Sequence, residues 1–125
     1  MKHGVHTACR AIDPNAAFSV EDNSYAGLTW GSGNSTPKPT EAEITAKIKE
    51  LDDAEATNLL RLERDGKLAE TDWVVTKAAE TGVAETTAWK TYRQALRDLP
   101  STSTPKLTSE YVLDLTSFTW PTKPS

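Results

Sequence analysis

The chain has 125 residues, 37% of them apolar and 26% charged, with a formal charge of −4; this is one domain's length with a modest core, part of it extended or buried only against a partner. An acidic chain without a basic stripe lacks the footprint that duplex nucleic acid demands, and the single cysteine, Cys9, excludes an internal disulfide scaffold. No apolar run reaches signal-peptide or membrane-span length, so the expectation is a protein of a cytoplasm, or of an assembly built there, with no membrane partner.

The chain divides into an N-terminal arm with a hairpin and linker (1–39), a helical domain (40–100) and an extended tail (101–125). Residues 1–39 are read as carrying no helical periodicity. Ala17–Val20 and Tyr25–Trp30 are β-prone runs separated by Glu21, Asp22, Asn23 and Ser24, which reads as a hairpin. Gly31–Pro39 (GSGNSTPKP) has no apolar residue and reads as a linker. A helix opens at Thr40, where Thr40 and Glu43 form a capping box. Ile44, Ile48 and Leu51 make an apolar stripe that fails at Glu55 and Asn58 and resumes at Leu59 and Leu62, which predicts a bend near Asp52–Asp53 or two helices meeting there.

The acidic excess sits in this segment. Between Glu41 and Glu70 nine acids (Glu41, Glu43, Glu50, Asp52, Asp53, Glu55, Glu63, Asp65, Glu70) face five bases (Lys47, Lys49, Arg61, Arg64, Lys67). The run reads as a solvated helix face, with Glu43–Lys47 and Glu63–Lys67 in the favourable i, i+4 order.

Two further helices follow. Thr71 or Asp72 caps a short one, with Trp73 and Ala78 inward, that ends at Gly82. The second runs from about Glu85 to Leu99 and stops at Pro100. Trp89, Tyr92, Leu96 and Leu99 form its apolar stripe and, with Trp73, the expected structural core. Arg93 and Arg97 lie outside the stripe, placed to reach an acidic face at Glu63 or Asp65 or to project to a partner. In the tail, Tyr111–Leu115 and Phe118–Trp120 are β-prone. The fold class expected is α+β, mainly α: a long helix plus a helical hairpin, with an N-terminal β-hairpin and an extended β-prone C-terminal tail.

No catalytic constellation emerges. His3, His6 and Cys9 have metal-ligand character, but a structural zinc site needs a fourth ligand and the chain has no other Cys or His. The carboxylates lie on a polar helix face where nothing desolvates them, and no phosphate-binding glycine loop is present. Neither a metal nor a cofactor is expected, and no enzymatic activity. A helix-turn-helix regulator is the weakest alternative: Ala78 and Gly82 have the spacing, but that motif's second-helix core would fall on Ala88 and Thr91, one residue from the actual stripe.

Three segments carry a resemblance: Leu62–Trp73 (LERDGKLAETDW), Ala88–Pro100 (AWKTYRQALRDLP) and Thr119–Pro124 (TWPTKP). Together they resemble the phage tail assembly chaperone and tail fibre assembly proteins of tailed bacteriophages. Those families share an Arg-x-x-x-Leu-Leu-x-x-Ser-Asp-Trp element, a Trp-x-x-Tyr-Arg-x-x-Leu-Arg helix and a terminal Trp-Pro-x-x-Pro. Here Lys67-Leu68 replaces the double leucine and Thr71 the serine. The likeness covers about Thr40–Ser125. It implies a non-enzymatic protein that binds a tail or tail-fibre polypeptide in the host cytoplasm and assists its folding, trimerisation or attachment. The alternative it leaves open is a resident component of the virion tail, baseplate or fibre; self-association is also open. Trp30 and Trp120 are the candidate contact aromatics, since tryptophan is enriched at interface hot spots, and the β-prone ends are suited to adding to a partner's sheet edge.

Overall fold

The computed structural model describes residues 3–125. In chain order the elements are α1 (Val5–Ile12), β1 (Phe18–Val20), β2 (Leu28–Trp30), α2 (Glu41–Glu70), α3 (Asp72–Thr81) and α4 (Thr87–Thr102). This is the expected mainly helical α+β class. By contact, one unit comprises the chain through Glu55 with Ser109–Tyr111, and the other Ala56–Thr108 with Val112–Ser125. The division falls inside α2.

In the first unit, the arm holds a helix that the sequence reading missed. Val5, Ala8, Cys9 and Ile12 have the i, i+3, i+4, i+7 spacing of a helical stripe, and Val5, Ala8 and Cys9 are buried with Leu28, Ile44 and Ile48. The stripe is complete but short: the helix has only 8 residues, and two of the four stripe members are small. Gly4, its N-cap, offers no side chain to the first turn. Instead Asn23 Oδ1 accepts from the Val5 N–H at 2.9 Å. A Cβ on Gly4 would come within 2.4 Å of that oxygen, so a side chain there would push the Asn23 amide aside and weaken this bond.

The hairpin is antiparallel, with Phe18 opposite Trp30, Ser19 opposite Thr29 and Val20 opposite Leu28. Its second strand starts later than expected. Asp22 and Asn23 take left-handed conformations, with φ of 55° and 48°, and the loop continues through Gly27, whose carbonyl accepts from the Glu21 N–H at 3.0 Å. Gly31–Pro39 is a tied loop rather than a free linker. Asn34 bonds both backbone groups of Ala17 at 2.8 Å, and the Thr36 hydroxyl donates to Asp13 Oδ2 at 2.6 Å.

α2 is one helix of 30 residues. Thr40 Oγ1 accepts from the Glu43 N–H at 3.1 Å, the first half of the expected capping box. Its buried positions repeat every four residues: Ile44 and Ile48 in the first unit, Ala56 and Leu60 in the second. Leu62, expected in the stripe, is 69% exposed. A search for large apolar side chains passes over Ala56, whose small volume lets a neighbour close onto the helix. Lys47 pairs with Glu50 at i, i+3 and not with Glu43, Lys49 pairs with Asp53 at i, i+4, and Lys67 Nζ stands 4.7 Å from the Trp120 ring centroid.

In the second unit Ala56, Leu60, Leu99, Leu113 and Phe118 form the core, with Leu59, Leu107 and Trp120 packed against it. α3 ends at Gly82, whose φ of 71° is the left-handed position expected and whose N–H donates to Ala78 O at 3.0 Å. Val74 is the buried residue of α3. α4 begins at the Thr86 cap and runs through Pro100 to Thr102, past the expected stop. Pro100 has no N–H for the Leu96 carbonyl and its ring crowds that carbonyl, yet only Ser101 and Thr102 follow it in the helix. Hydroxyls cover the last carbonyls: Ser101 Oγ donates to Asp98 O at 2.8 Å and Ser103 Oγ to Leu99 O at 2.6 Å.

The tail is not an extended strand. Leu107 and Leu113 share one isolated antiparallel bridge, and Tyr111 has a φ of 63°, a left-handed conformation that breaks any strand through it. The chain instead folds into a turn-rich segment held by Asp114 N–H to Lys106 O at 2.8 Å and Lys106 N–H to Ser117 Oγ at 3.0 Å. This turns Leu113 and Phe118 into the core.

Candidate partner-binding surfaces

The four tryptophans fall into three settings. Trp30 stacks on Phe18 with centroids 5.6 Å apart and donates its indole N–H to Thr36 O at 2.9 Å. Trp120 meets Phe118 edge-on at 5.1 Å. Both are half-buried against the core of their own unit, so each offers one face at most to a partner. Trp73 and Trp89 meet edge to face at 5.6 Å on the α3–α4 hairpin, and Tyr92 continues the ladder 6.1 Å from Trp89.

Trp73 corrects the expected core: it is 52% exposed and Val74 takes the inward position. A shift of one residue turns a helix face by about 100°, and the aromatic was the more conspicuous of the two neighbours. Trp89 is half-buried, while Tyr92, Leu96 and Leu99 are buried. Burial raises the Tyr92 pKa, with a smaller push from Glu70. Ala88 and Thr91, which a helix-turn-helix would use as core, are exposed.

The two candidate arginines separate. Arg93 reaches neither Glu63 nor Asp65. Its Nη1 donates to Leu68 O at 2.9 Å and to Thr71 Oγ1 at 2.7 Å, and its Nη2 to Asp72 Oδ1 at 2.8 Å. It clamps the corner between α2 and α3 and is spent there. Thr71 is fully buried at that corner. Its hydroxyl turns back to the Lys67 and Leu68 carbonyls, both at 3.2 Å, and does not cap α3. The Arg97 side chain remains exposed and donates to Gln94 Oε1 on its own helix at 2.8 Å, while the Arg97 carbonyl accepts from Arg64 Nη1 of α2 at 3.2 Å.

Apolar surface is concentrated in the second unit, where Leu62, Trp73, Val75, Val83, Val112 and Leu115 are exposed. The sequence reading missed Val75, Val83, Val112 and Leu115; the only local signal was an apolar residue off the stripe or in a loop.

The reactive side chains are otherwise engaged. The His3 N–H donates to Asp52 Oδ1 at 3.0 Å, and His3 Nδ1 lies 2.6 Å from the same oxygen. The His6 ring lies 5.0 Å from that of Phe18. Cys9 is free and buried; desolvation pushes its thiol pKa up, partly opposed by Arg10, which disfavours the nucleophilic thiolate. Among the described residues no cluster of His, Cys, Asp or Glu is arranged to hold a metal ion, and no helix is long and apolar enough to cross a membrane.

The second unit is thus a small, mainly helical scaffold that displays Trp73, Val75 and Val83 on and beside one helical hairpin. The family model described as phage tail assembly chaperone protein matches residues 57–125, more than half of the chain, and the chain belongs to that family. The match begins within one residue of the second unit's first residue, Ala56. No curated protein and no solved structure was found to match the chain.

Proposed function

We propose that the protein is a non-enzymatic assembly factor that holds a tail or tail-fibre polypeptide in the host cytoplasm, assists its folding or attachment, and leaves before the particle is complete. The observation that carries this reading is the family match over 57–125. It is supported by Trp73 and Val83, exposed apolar side chains that line one cavity within that segment, since contiguous apolar surface left in water is the usual mark of an interaction site. Trp30, Trp120 and Arg97 remain proposed accessory contacts, and Arg93 is assigned to the scaffold.

The test is quantitative mass spectrometry of purified virions alongside lysates taken during assembly. The reading expects the protein in a complex with an immature tail or fibre polypeptide in the lysate and its absence from the particle. Stoichiometric presence in purified virions would overturn it and make the protein a resident tail, baseplate or fibre component.

A further inference from the structure

Between α3, the 82–86 loop and the start of α4 lies a cavity of about 220 Å³, lined by Trp73, Val74, Lys77, Val83, Glu85 and Trp89 among others. Its size is below the roughly 300–1,000 Å³ of a cofactor or drug-sized site and suits a single side chain. Two features give it chemical character. The indoles of Trp73 and Trp89 meet at 75°, so that they form a corner of two aromatic faces. Glu85 Oε2 is buried yet accepts no hydrogen bond from any described residue.

Glu85 Oε2 is covered and lacks a donor, a cost that the free chain carries, and a ligand's donor removes it once the Glu85 side chain turns toward the cavity that this residue lines. The negative charge beside two indole faces complements a cation: aromatic faces attract one, and tryptophan is the strongest of the three rings. The remaining wall, with Val74 and Val83, suits an aliphatic stem. Arginine combines all three properties, because its planar guanidinium stacks on indole and donates in parallel to a carboxylate. The cavity's own cation, Lys77, is exposed and makes no ion pair with Glu85.

We propose that this cavity receives an arginine side chain of the partner polypeptide, stacked on Trp73 and Trp89 and hydrogen-bonded to Glu85. The proposal rests on the assembly-factor reading for the identity of the partner, and on the cavity alone for the chemistry.

The test is an NMR titration of the ¹⁵N-labelled full chain with the capped tripeptide acetyl-Gly-Arg-Gly-amide. The four indole N–H signals report on the site and carry their own control. Those of Trp73 and Trp89 are expected to shift, with a Kd on the order of 1 mM, while those of Trp30 and Trp120 stay in place. Glu85→Gln keeps the shape and removes the charge; it is expected to weaken binding about tenfold. Trp73→Ala, at an exposed position, is expected to abolish it while the Trp30 and Trp120 signals report an intact fold.

Equal binding of the norleucine tripeptide would make the cavity a plain apolar site, and shifts that depend on protein concentration alone would make it a contact between copies of this chain. Either result overturns the proposal, as does unchanged affinity in Glu85→Gln. The two readings fail separately. A silent titration, with Glu85→Gln still binding the tail polypeptide as the wild type does, removes the arginine site and leaves the assembly role standing. Stoichiometric presence in virions removes that role whatever the peptide does.

Discussion

Replacing Arg93 by alanine removes three charge-assisted hydrogen bonds from the corner between α2 and α3. The bond to Asp72 contributes least, because that carboxylate is 64% exposed and a pair screened by solvent is worth about 0–1 kcal/mol. The bonds to Leu68 O and Thr71 Oγ1 are shielded, since the Arg93 side chain is 11% exposed and Thr71 is at 0%. Hydrogen bonds with a charged donor contribute about 1.5–3 kcal/mol each. The full sum is not lost, because Leu68 O keeps the Thr71 N–H at 3.1 Å and the Thr71 hydroxyl keeps its carbonyl acceptors. The expected net cost is about 2–3 kcal/mol, which at about 4 °C per kcal/mol lowers Tm by about 10 °C. Far-UV circular dichroism of the full chain during heating is the assay. Arg93→Lys should recover only a minor part, because one ammonium cannot span the fork. The reasoning is refuted if Arg93→Ala melts within about 2 °C of the wild type. It is equally refuted if Asp72→Asn costs as much, which would place the energy in the surface pair.

Leu60 is fully buried and Leu62 is 69% exposed; Leu60→Ala should cost about 2–5 kcal/mol and Leu62→Ala less than about 0.5, and urea titrations giving the reverse order would show the helix face to be misassigned. Truncation after Pro105 removes Leu113 and Phe118, each at most 9% exposed, from the second core. At about 1.5–3 kcal/mol per buried side chain the shortened chain should lose its cooperative melt, and a wild-type melt would show the tail to be dispensable. The Asp114 carboxyl is held below its ordinary pKa by the Thr116 hydroxyl and then the Thr116 N–H, and that of Asp13 by the Thr36 hydroxyl and then the Asn15 N–H. Because the folded values lie below the unfolded ones, this stabilisation is present above the ordinary carboxylate range and is lost as pH falls through the folded values. Carboxyl ¹³C titration should give midpoints below about 3.9; midpoints above that count against these bonds. Cys9 has the opposite sign: its raised value means stability is complete below the unfolded thiol pKa and falls as pH rises through the folded one. Cys9→Ala should flatten that alkaline limb, and an unchanged limb would assign it elsewhere.

Local punctuation was legible. The Thr40 cap and the Gly82 stop work through backbone groups within four residues, so the residues that form them can be read side by side. The buried trio Tyr92, Leu96 and Leu99 of α4 has the spacing of a helix face and carries large side chains. The helix in the arm was harder to see, because a stripe made partly of Ala8 and Cys9 is only weakly apolar and becomes a face once Leu28, Ile44 and Ile48 close over it. Of the proposed cavity, the tryptophans were visible as residues, but their exposure and the orphaned Glu85 oxygen were not.

By itself the sequence determined the helical class, the ends set by Thr40 and Gly82, and the three motifs that mark the family, all properties of residues close together along the chain. Only the tertiary structure decided which side chains those elements bury. Val74 and not Trp73 faces inward, Ala56 takes a place in the stripe where Leu62 does not, Arg93 closes a corner between two helices, and the tail supplies Leu113 and Phe118, 53 and 58 residues along the chain from Leu60, to the core that holds it. The physical reason is the same in each case: burial and hydrogen-bond satisfaction are settled by partners distant in the chain, and a local pattern records a side chain's character without recording what will cover it.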